Sequence, residues 1–295
     1  MSSPITRRTL LRTLAVGAAA GAVGAAAPQA LALGPVLGTV IDYSAGVPSA
    51  ASVKAAGHLG AVRYVSQRRP DAQWMQGKPV TLRETQDFAG AGLATASVYQ
   101  FGRAHTADWL EGAAGAAKHA PQAIALHKAA GGPTGRPIYI AIDDNPTRAQ
   151  YEGQIRPYLR AFSTALTAAG YQTGVYGNYN VIDWATADGI GQFFWMHDWG
   201  SGGRIHPRTT IHQLPQTHQR TIDGITVDIN HVYARDWGQW TPGRTAAPGS
   251  APAFNLDVLT NLSSQSGSSF NGSSVTPNQI RQGIDLIKTI QQAMN

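Results

Sequence analysis

The chain has 295 residues, 43% of them hydrophobic, with 23 basic and 17 acidic side chains and no cysteine. That length suits one large core plus a tail, and the lack of thiols excludes disulfides and thiolate metal sites. The basic residues form no Lys/Arg block of the kind that binds nucleic acid, so no nucleic-acid partner is expected.

Residues 1–32 read as an export segment. Thr6-Arg7-Arg8-Thr9-Leu10-Leu11-Arg12 is a twin-arginine signature, an Ala/Gly-rich run extends to Ala27, and Ala30-Leu31-Ala32 offers a small-residue cleavage site. The run is too weakly hydrophobic for a lasting anchor, so no stable membrane insertion is expected after cleavage. Cleavage removes Arg7, Arg8 and Arg12 and no acid, which takes the formal charge from +6 to +3. The mature protein is expected in the cell wall, the periplasmic space or outside the cell.

From Val36 the pattern alternates between strand and helix. A first strand (36–42) precedes a helix near 49–57. A second (61–66) precedes a helix opened by Thr81-Leu82-Arg83-Glu84, a capping box in which Thr81 caps and Glu84 reaches back. A third strand (93–101) leads to a helical region over 107–130, expected to break at Pro121. The fourth is Ile138-Tyr139-Ile140-Ala141-Ile142, ending on Asp143-Asp144-Asn145, with a helix over 146–169. Asp144 or Asn145 is expected to cap that helix, with Pro146 at its first position. A fifth strand (173–176) precedes a short helix near 181–187.

Then the rhythm changes. Residues 193–198, 209–214 and 221–230 read as strands without room for helices between them, and Asp223-Gly224 marks a hairpin. Five βα units followed by three strands lacking helices predict an α/β fold, a TIM-like barrel, over residues 33–244. Residues 245–275 read as a flexible linker. A final amphipathic helix over 276–295 is opened by Thr276-Pro277-Asn278-Gln279 and striped by Ile280, Ile284, Ile287 and Met294. It either docks on the barrel or meets a partner.

Alternation puts Tyr139, Ala141 and Asp143 on one strand face, suited to a barrel interior, and the three isoleucines on the other. Acids at the carboxyl ends of barrel strands are where such folds keep their chemistry. Asp42 ends the first strand and Asp228 lies in the last, so Asp143, Asp42 and Asp228 form the candidate catalytic set. Glycoside hydrolysis needs two carboxyl groups across the scissile bond. Glu84, Glu111 and Glu152 are the three glutamates and all fall on predicted helices, so the working acid is expected to be an aspartate. Around the acids, Asp144, Tyr99, Tyr176, Asn178, His197, Asp198, Trp199 and Gln213 are candidate substrate-binding groups. Trp199 and Tyr176 are the preferred platforms for a sugar ring. The histidines show no His-x-x-x-His pair and the chain no Gly-x-Ser-x-Gly elbow, so neither a metal, a cofactor nor a serine nucleophile is expected.

Segments 38–44, 61–65, 137–145, 174–177 and 227–230 resemble a secreted glycoside-hydrolase-like family, known as domain of unknown function 1906, whose mycobacterial members are exported by the twin-arginine pathway. They are more distantly similar to the glycoside hydrolase family 25 lysozymes. The resemblance spans about residues 37–240. It implies a TIM-like barrel acting on a cell-wall glycan, peptidoglycan or a related polysaccharide. It also matches Asp42 to the lysozymes' first-strand acid and Asp228, more loosely, to their last-strand acid region. Aligned on Asp143, the lysozyme Asp-x-Glu motif places Asn145 at the position of its Glu. The expected function is carboxylate acid/base hydrolysis of O-glycosyl bonds; the alternative is a glycan-binding barrel that has lost the catalytic Glu.

Overall fold

Strand alternation separates two apolar layers in the computed structural model, which describes residues 33–243. Ile138, Ile140 and Ile142 join a layer between strands and helices with Leu159, Phe162 and Phe194. Tyr139 and Ala141 turn the other way, to Val40, Val62, Val98, Tyr176 and Trp195 in the barrel interior. The expected export segment (1–32), linker (245–275) and C-terminal helix (276–295) lie outside the described residues. Among the described residues no helix is long and apolar enough to cross a membrane.

The elements run β1 (Gly38–Asp42), α1 (Ala50–Ala55), β2 (Gly60–Tyr64), α2 (Leu82–Gly90), β3 (Ala94–Tyr99), α3 (Gly112–Ala129), β4 (Pro137–Ala141), α4 (Arg148–Gln150), α5 (Arg156–Ala168), β5 (Gln172–Gly177), α6 (Tyr179–Ala187), β6 (Phe193–His197), β7 (Ile211–Gln213), β8 (Arg220–Ile222) and β9 (Ile225–Val232). A π-helical turn, Tyr151–Ile155, joins α4 to α5. Strands β1 to β7 are parallel neighbours in sequence order, and β9 closes the barrel between β7 and β1. The fold is therefore an α/β barrel with five βα units and a helix-free last third. The closing strand runs antiparallel to both neighbours. It enters from the mouth, so its early residues, not its last ones, lie level with the carboxyl ends of the others. β8 pairs with the protruding start of β9 through the expected Asp223-Gly224 turn, where both residues have positive φ (50° and 75°). Past β9 the chain folds beneath the barrel, and Tyr139 donates its hydroxyl to the Trp237 carbonyl there (2.8 Å).

Three local expectations need correction. Helix α3 runs unbroken through Pro121; the interruption comes at Gly112 (φ 56°), between a 3-10 turn over Asp108–Glu111 and the helix. Proline removes one hydrogen bond but leaves a long packed helix intact when its neighbours hold it. The helix after β4 is capped by Thr147, in a capping box with Gln150, and not by Asp144 or Asn145. At α2 the Thr81 hydroxyl does accept from the Glu84 N–H (3.2 Å), but the Glu84 carboxylate turns inward. It pairs with Arg63 and accepts from Tyr43 (2.8 Å), while Arg63 also donates to the Tyr43 and Gly77 carbonyls (both 2.6 Å). This buried knot ties β1, β2, α2 and the loop before Lys78 together.

Removing one partner of a buried ion pair strands the other charge, at a cost of about 3–5 kcal/mol. Glu84→Ala should therefore lower unfolding stability by about that much in urea titration, and Glu84→Gln by less. A loss under about 1 kcal/mol for Glu84→Ala would show that the knot does not hold these elements.

Candidate active site at the barrel mouth

The closing pair of strands sets the site. Register places Asp42 directly opposite Asp228 across β1 and β9, a pairing in which facing Cβ atoms lie about 4.5–5.5 Å apart. Asp42 is 1% exposed. Its Oδ2 accepts two amide donors, Gln213 Nε2 (2.9 Å) and Asn230 Nδ2 (2.8 Å). The Asn230 amide is not free to flip, because its partner can only donate. Trp195 Nε1 donates to Asn230 Oδ1 (2.7 Å), and the Tyr176 hydroxyl donates to Gln213 Oε1 (2.7 Å). Both NH₂ groups are thereby committed to Asp42. With Oδ2 occupied by donors, a proton on this carboxyl sits on Oδ1, which meets the Tyr64 hydroxyl only at 3.5 Å.

Burial, then the charge of Asp228, raises the Asp42 pKa to about 7, against the donors Asn230 and Gln213. Asp228, which accepts from Gln219 Nε2 (2.8 Å), is also raised, by burial. Facing carboxylates resist ionising together, which favours a single proton shared by the pair.

Asp143 stands at the end of β4. It accepts from Gln100 Nε2 (2.9 Å), and Arg103 Nε lies 3.5 Å from the same oxygen. Burial raises its pKa, while Arg103, Gln100 and Trp199 oppose the rise. The Tyr64 and Tyr176 phenols feel all three carboxylates, so Asp42, Asp143 and Asp228 share one mouth. Lys78 completes it, lying over the Tyr64 ring (3.9 Å) and donating to the Gln100 carbonyl (2.9 Å). Burial pushes its amine down to about 7.

The other expected binding residues divide. Tyr176, His197 and Trp199 form an aromatic ladder. Tyr176 and His197 lie 5.1 Å apart, and the His197 and Trp199 rings stack at 4.5 Å and 15°. His197 donates from Nδ1 to the Trp199 carbonyl (2.7 Å), and burial holds it neutral, its pKa near 3. Trp199 is 39% exposed, leaving ring surface for a ligand. Gln213 reaches the mouth as a clamp on Asp42.

Four residues expected at the mouth are placed otherwise. Tyr99 points to the helices, packing on Phe162 and bonding His119 Nδ1 (2.6 Å), because it is one residue out of phase with the inward Val98. Asp198, just past β6, lies 3.7 Å from Nε2 of His212, a residue on the outward phase of β7, since Ile211 faces inward. Asn178 caps α6 through the Val181 N–H (2.8 Å) and donates to Asn145 Oδ1 (2.9 Å). Asp144 accepts from the Ala104 N–H (3.0 Å) and Trp109 Nε1 (2.9 Å), so it holds a loop. Asn145 is fixed as well: a Cβ on Gly200 would sit 1.7 Å from its Oδ1.

Tyr64, Lys78, Arg103, Gln219 and Asn230 were missed as site residues. Tyr64 and Asn230 were readable from phase, being two residues from inward Val62 and Val232. Nothing in the sequence pointed to Lys78, Arg103 or Gln219, which arrive from loops. Among the described residues no three His, Asp or Glu side chains gather in a way that could hold a metal ion.

Comparison with known proteins gives the chain a context. The family model described as "Rv2525c-like, glycoside hydrolase-like domain" matches residues 51–232. The Mycobacterium tuberculosis protein named "Putative peptidoglycan hydrolase Rv2525c" is 48% identical over 222 residues, 75% of this chain and 91% of that protein. Crystal structures of the M. tuberculosis Tat-secreted protein Rv2525c, in complex with L-tartrate and with HEPES, each share 48% identity and a TM-score of 0.66. They cover 70% and 69% of this chain and 100% and 99% of their own.

Because the folded-state pKa of Asp42 lies above its usual 3.8, protonation favours the fold. Its contribution is complete below about pH 4 and is lost as pH rises to about 7. Asp42→Asn should flatten the fall in melting temperature over this window and raise stability near pH 8, on the order of 1–4 kcal/mol. Parallel melts of both proteins from pH 4 to 8 check this; identical slopes would mean Asp42 is not buried with a held proton.

Proposed function

The chain belongs to the Rv2525c-like, glycoside hydrolase-like family, and we propose that it is an exported hydrolase of cell-wall glycan, peptidoglycan or a related polysaccharide. The observation that carries this reading is the pair Asp42 and Asp228, set directly opposite one another across β1 and β9, with burial and the facing acid raising the Asp42 pKa to about 7. Cleavage of a glycosidic bond needs one protonated and one ionised carboxyl group. In this proposal Asp42 protonates the leaving oxygen. Asp143, steadied by Gln100 and Arg103, stabilises the developing positive charge, attacks the sugar or activates water. Asp228 keeps the Asp42 pKa high. The Tyr176–His197–Trp199 ladder offers the flat surface on which CH-rich sugar faces stack. The twin-arginine signature at Arg7-Arg8, together with a relative named as Tat-secreted, supports export to the wall.

A second reading, a barrel that binds glycan without cleaving it, is favoured by one observation. Asn145 occupies the position at which the lysozyme motif has Glu, and it is held by Asn178 beside Gly200.

The two readings separate by assay. Purified protein with muramyl glycan should release reducing ends, and Asp143→Asn and Asp42→Asn should each lower kcat by about 10²–10⁴-fold. The rate should fall as pH rises through about 7, where Asp42 loses its proton, and fall again on acidification as Asp143 gains one. Binding without turnover, unchanged in Asp143→Asn, would sink the hydrolase reading.

A further inference from the structure

One cation at the mouth is unaccounted for by acid/base chemistry. Arg103 stands on the loop after β3, and that loop is held with unusual care. Asp108, 5% exposed, takes the Phe101 and Gly102 N–H groups on its two oxygens (both 2.8 Å). Asp144 takes the Ala104 N–H. The Thr106 hydroxyl accepts from the Arg103 N–H (3.2 Å) and from Arg69 Nη1 (2.5 Å). Ala104 is held at φ 51°, a conformation that costs a non-glycine residue free energy. Gly102 has no room for a side chain, since a Cβ would lie 1.8 Å from the Thr106 carbonyl oxygen. Three anchoring side chains and one strained residue thus fix the backbone that carries Arg103.

The side chain these restraints present is underused. It lies over the Trp199 ring at 5.5 Å, and its ion-pair approach to Asp143, through Nε, is 3.5 Å. That is longer than a good hydrogen bond. Its two Nη groups have no hydrogen-bond partner among the described residues, and the side chain is 56% exposed against 14% for Asp143. A guanidinium serving only to neutralise Asp143 would close on it with two parallel bonds. A fork held between an aromatic face and the candidate reacting carboxylate, with its donors open, suits a ligand carboxylate.

We propose that Arg103 reads a free carboxylate on the sugar stacked at Trp199, so that the preferred glycan is acidic. This rests on the glycan reading above. In a wall glycan the lactyl ether of the muramyl sugar supplies such a group, but only once its peptide amide has been cleaved. The barrel then acts on strands that an amide hydrolase has already stripped of peptide.

The test uses the full mature chain and two forms of one probe: peptide-free wall glycan strands, and the same strands with their carboxyls converted to methylamides. Binding by calorimetry and reducing-end release are both measured. The wild type should favour the carboxylate form by about 10–100-fold, the worth of a charged hydrogen-bonded pair. Arg103→Gln should lose that preference, bringing the affinities for the two forms within about twofold of each other; Arg103→Lys, which keeps the charge but not the fork, should retain part of it. Equal affinity of the wild type for both forms overturns this inference alone. So does an equal loss on both forms in Arg103→Gln, which would make Arg103 a positioning group for Asp143. Preference in binding without turnover on either form leaves the inference standing and removes the hydrolase reading. Absence of binding to both forms removes the glycan reading and this inference with it.

Discussion

The site depends on the way the barrel closes. A parallel eighth strand would bring its last residues to the mouth. Here β9 enters from the mouth and runs down between β7 and β1, so Asp228 near its start meets Asp42 at the end of β1. Two acids that are 186 positions apart become cross-strand neighbours, and a like-charged pair so placed is unfavourable when both are ionised. The fold accommodates them by supplying amide donors to one oxygen of Asp42 and leaving its other oxygen to carry a proton. Each amide is in turn oriented by a buried aromatic donor, Trp195 for Asn230 and Tyr176 for Gln213. The inward aromatics thus both fill the barrel and orient the two amides that occupy one oxygen of Asp42.

Behind this wall a second buried arrangement keeps β1 and β2 in place. Arg63 is on the outward phase of β2, between inward Val62 and Tyr64. Its bonds to the Tyr43 and Gly77 carbonyls and to Glu84 tie the strand to α2 and to the loop that delivers Lys78. On the far side of the mouth, Asp108 and Asp144 hold the loop of Arg103 through backbone N–H groups. The buried acids in this molecule therefore fall into two kinds. Some satisfy donors and fix backbone; Asp42 and Asp228 face each other across β1 and β9, and Asp143 stands just past β4 with Gln100 and Arg103.

Much of the barrel was legible because strand phase and βα rhythm are local signals. Ile138, Ile140 and Ile142 against Tyr139, Ala141 and Asp143 gave the correct inside and outside, and the Asp223-Gly224 hairpin fell where it was expected. The same phase rule misplaced Tyr99, whose aromatic ring and strand-end position looked like a sugar platform. Its neighbour Val98 takes the inward position, which leaves Tyr99 to His119 and Phe162. Pro146 makes Asp144 and Asn145 look like helix caps, yet Thr147 competes successfully with a full capping box. Arg103 and Lys78 lay outside any periodic signal. Loops deliver them, and loop geometry is set by contacts with residues distant in sequence, such as Asp144 with Ala104 and Arg63 with Gly77.

The choice between cleaving and merely binding a glycan turns on what the carboxylates cost. A binding surface gains hydrogen bonds from Asn or Gln as readily as from Asp, without desolvating a charge. Asp42 is nevertheless buried, opposite a second acid, with its pKa raised to about 7. Asn230 and Gln213 could bond an asparagine at that position equally well through its carbonyl oxygen. The arrangement thus carries an electrostatic penalty whose return is a carboxyl group that can give up or take a proton near neutrality, which is what bond cleavage requires and recognition does not. Asn145, fixed by Asn178 and Gly200, argues against the lysozyme placement of the acid. It does not argue against the proposed hydrolase, whose acid is assigned to Asp42 on β1.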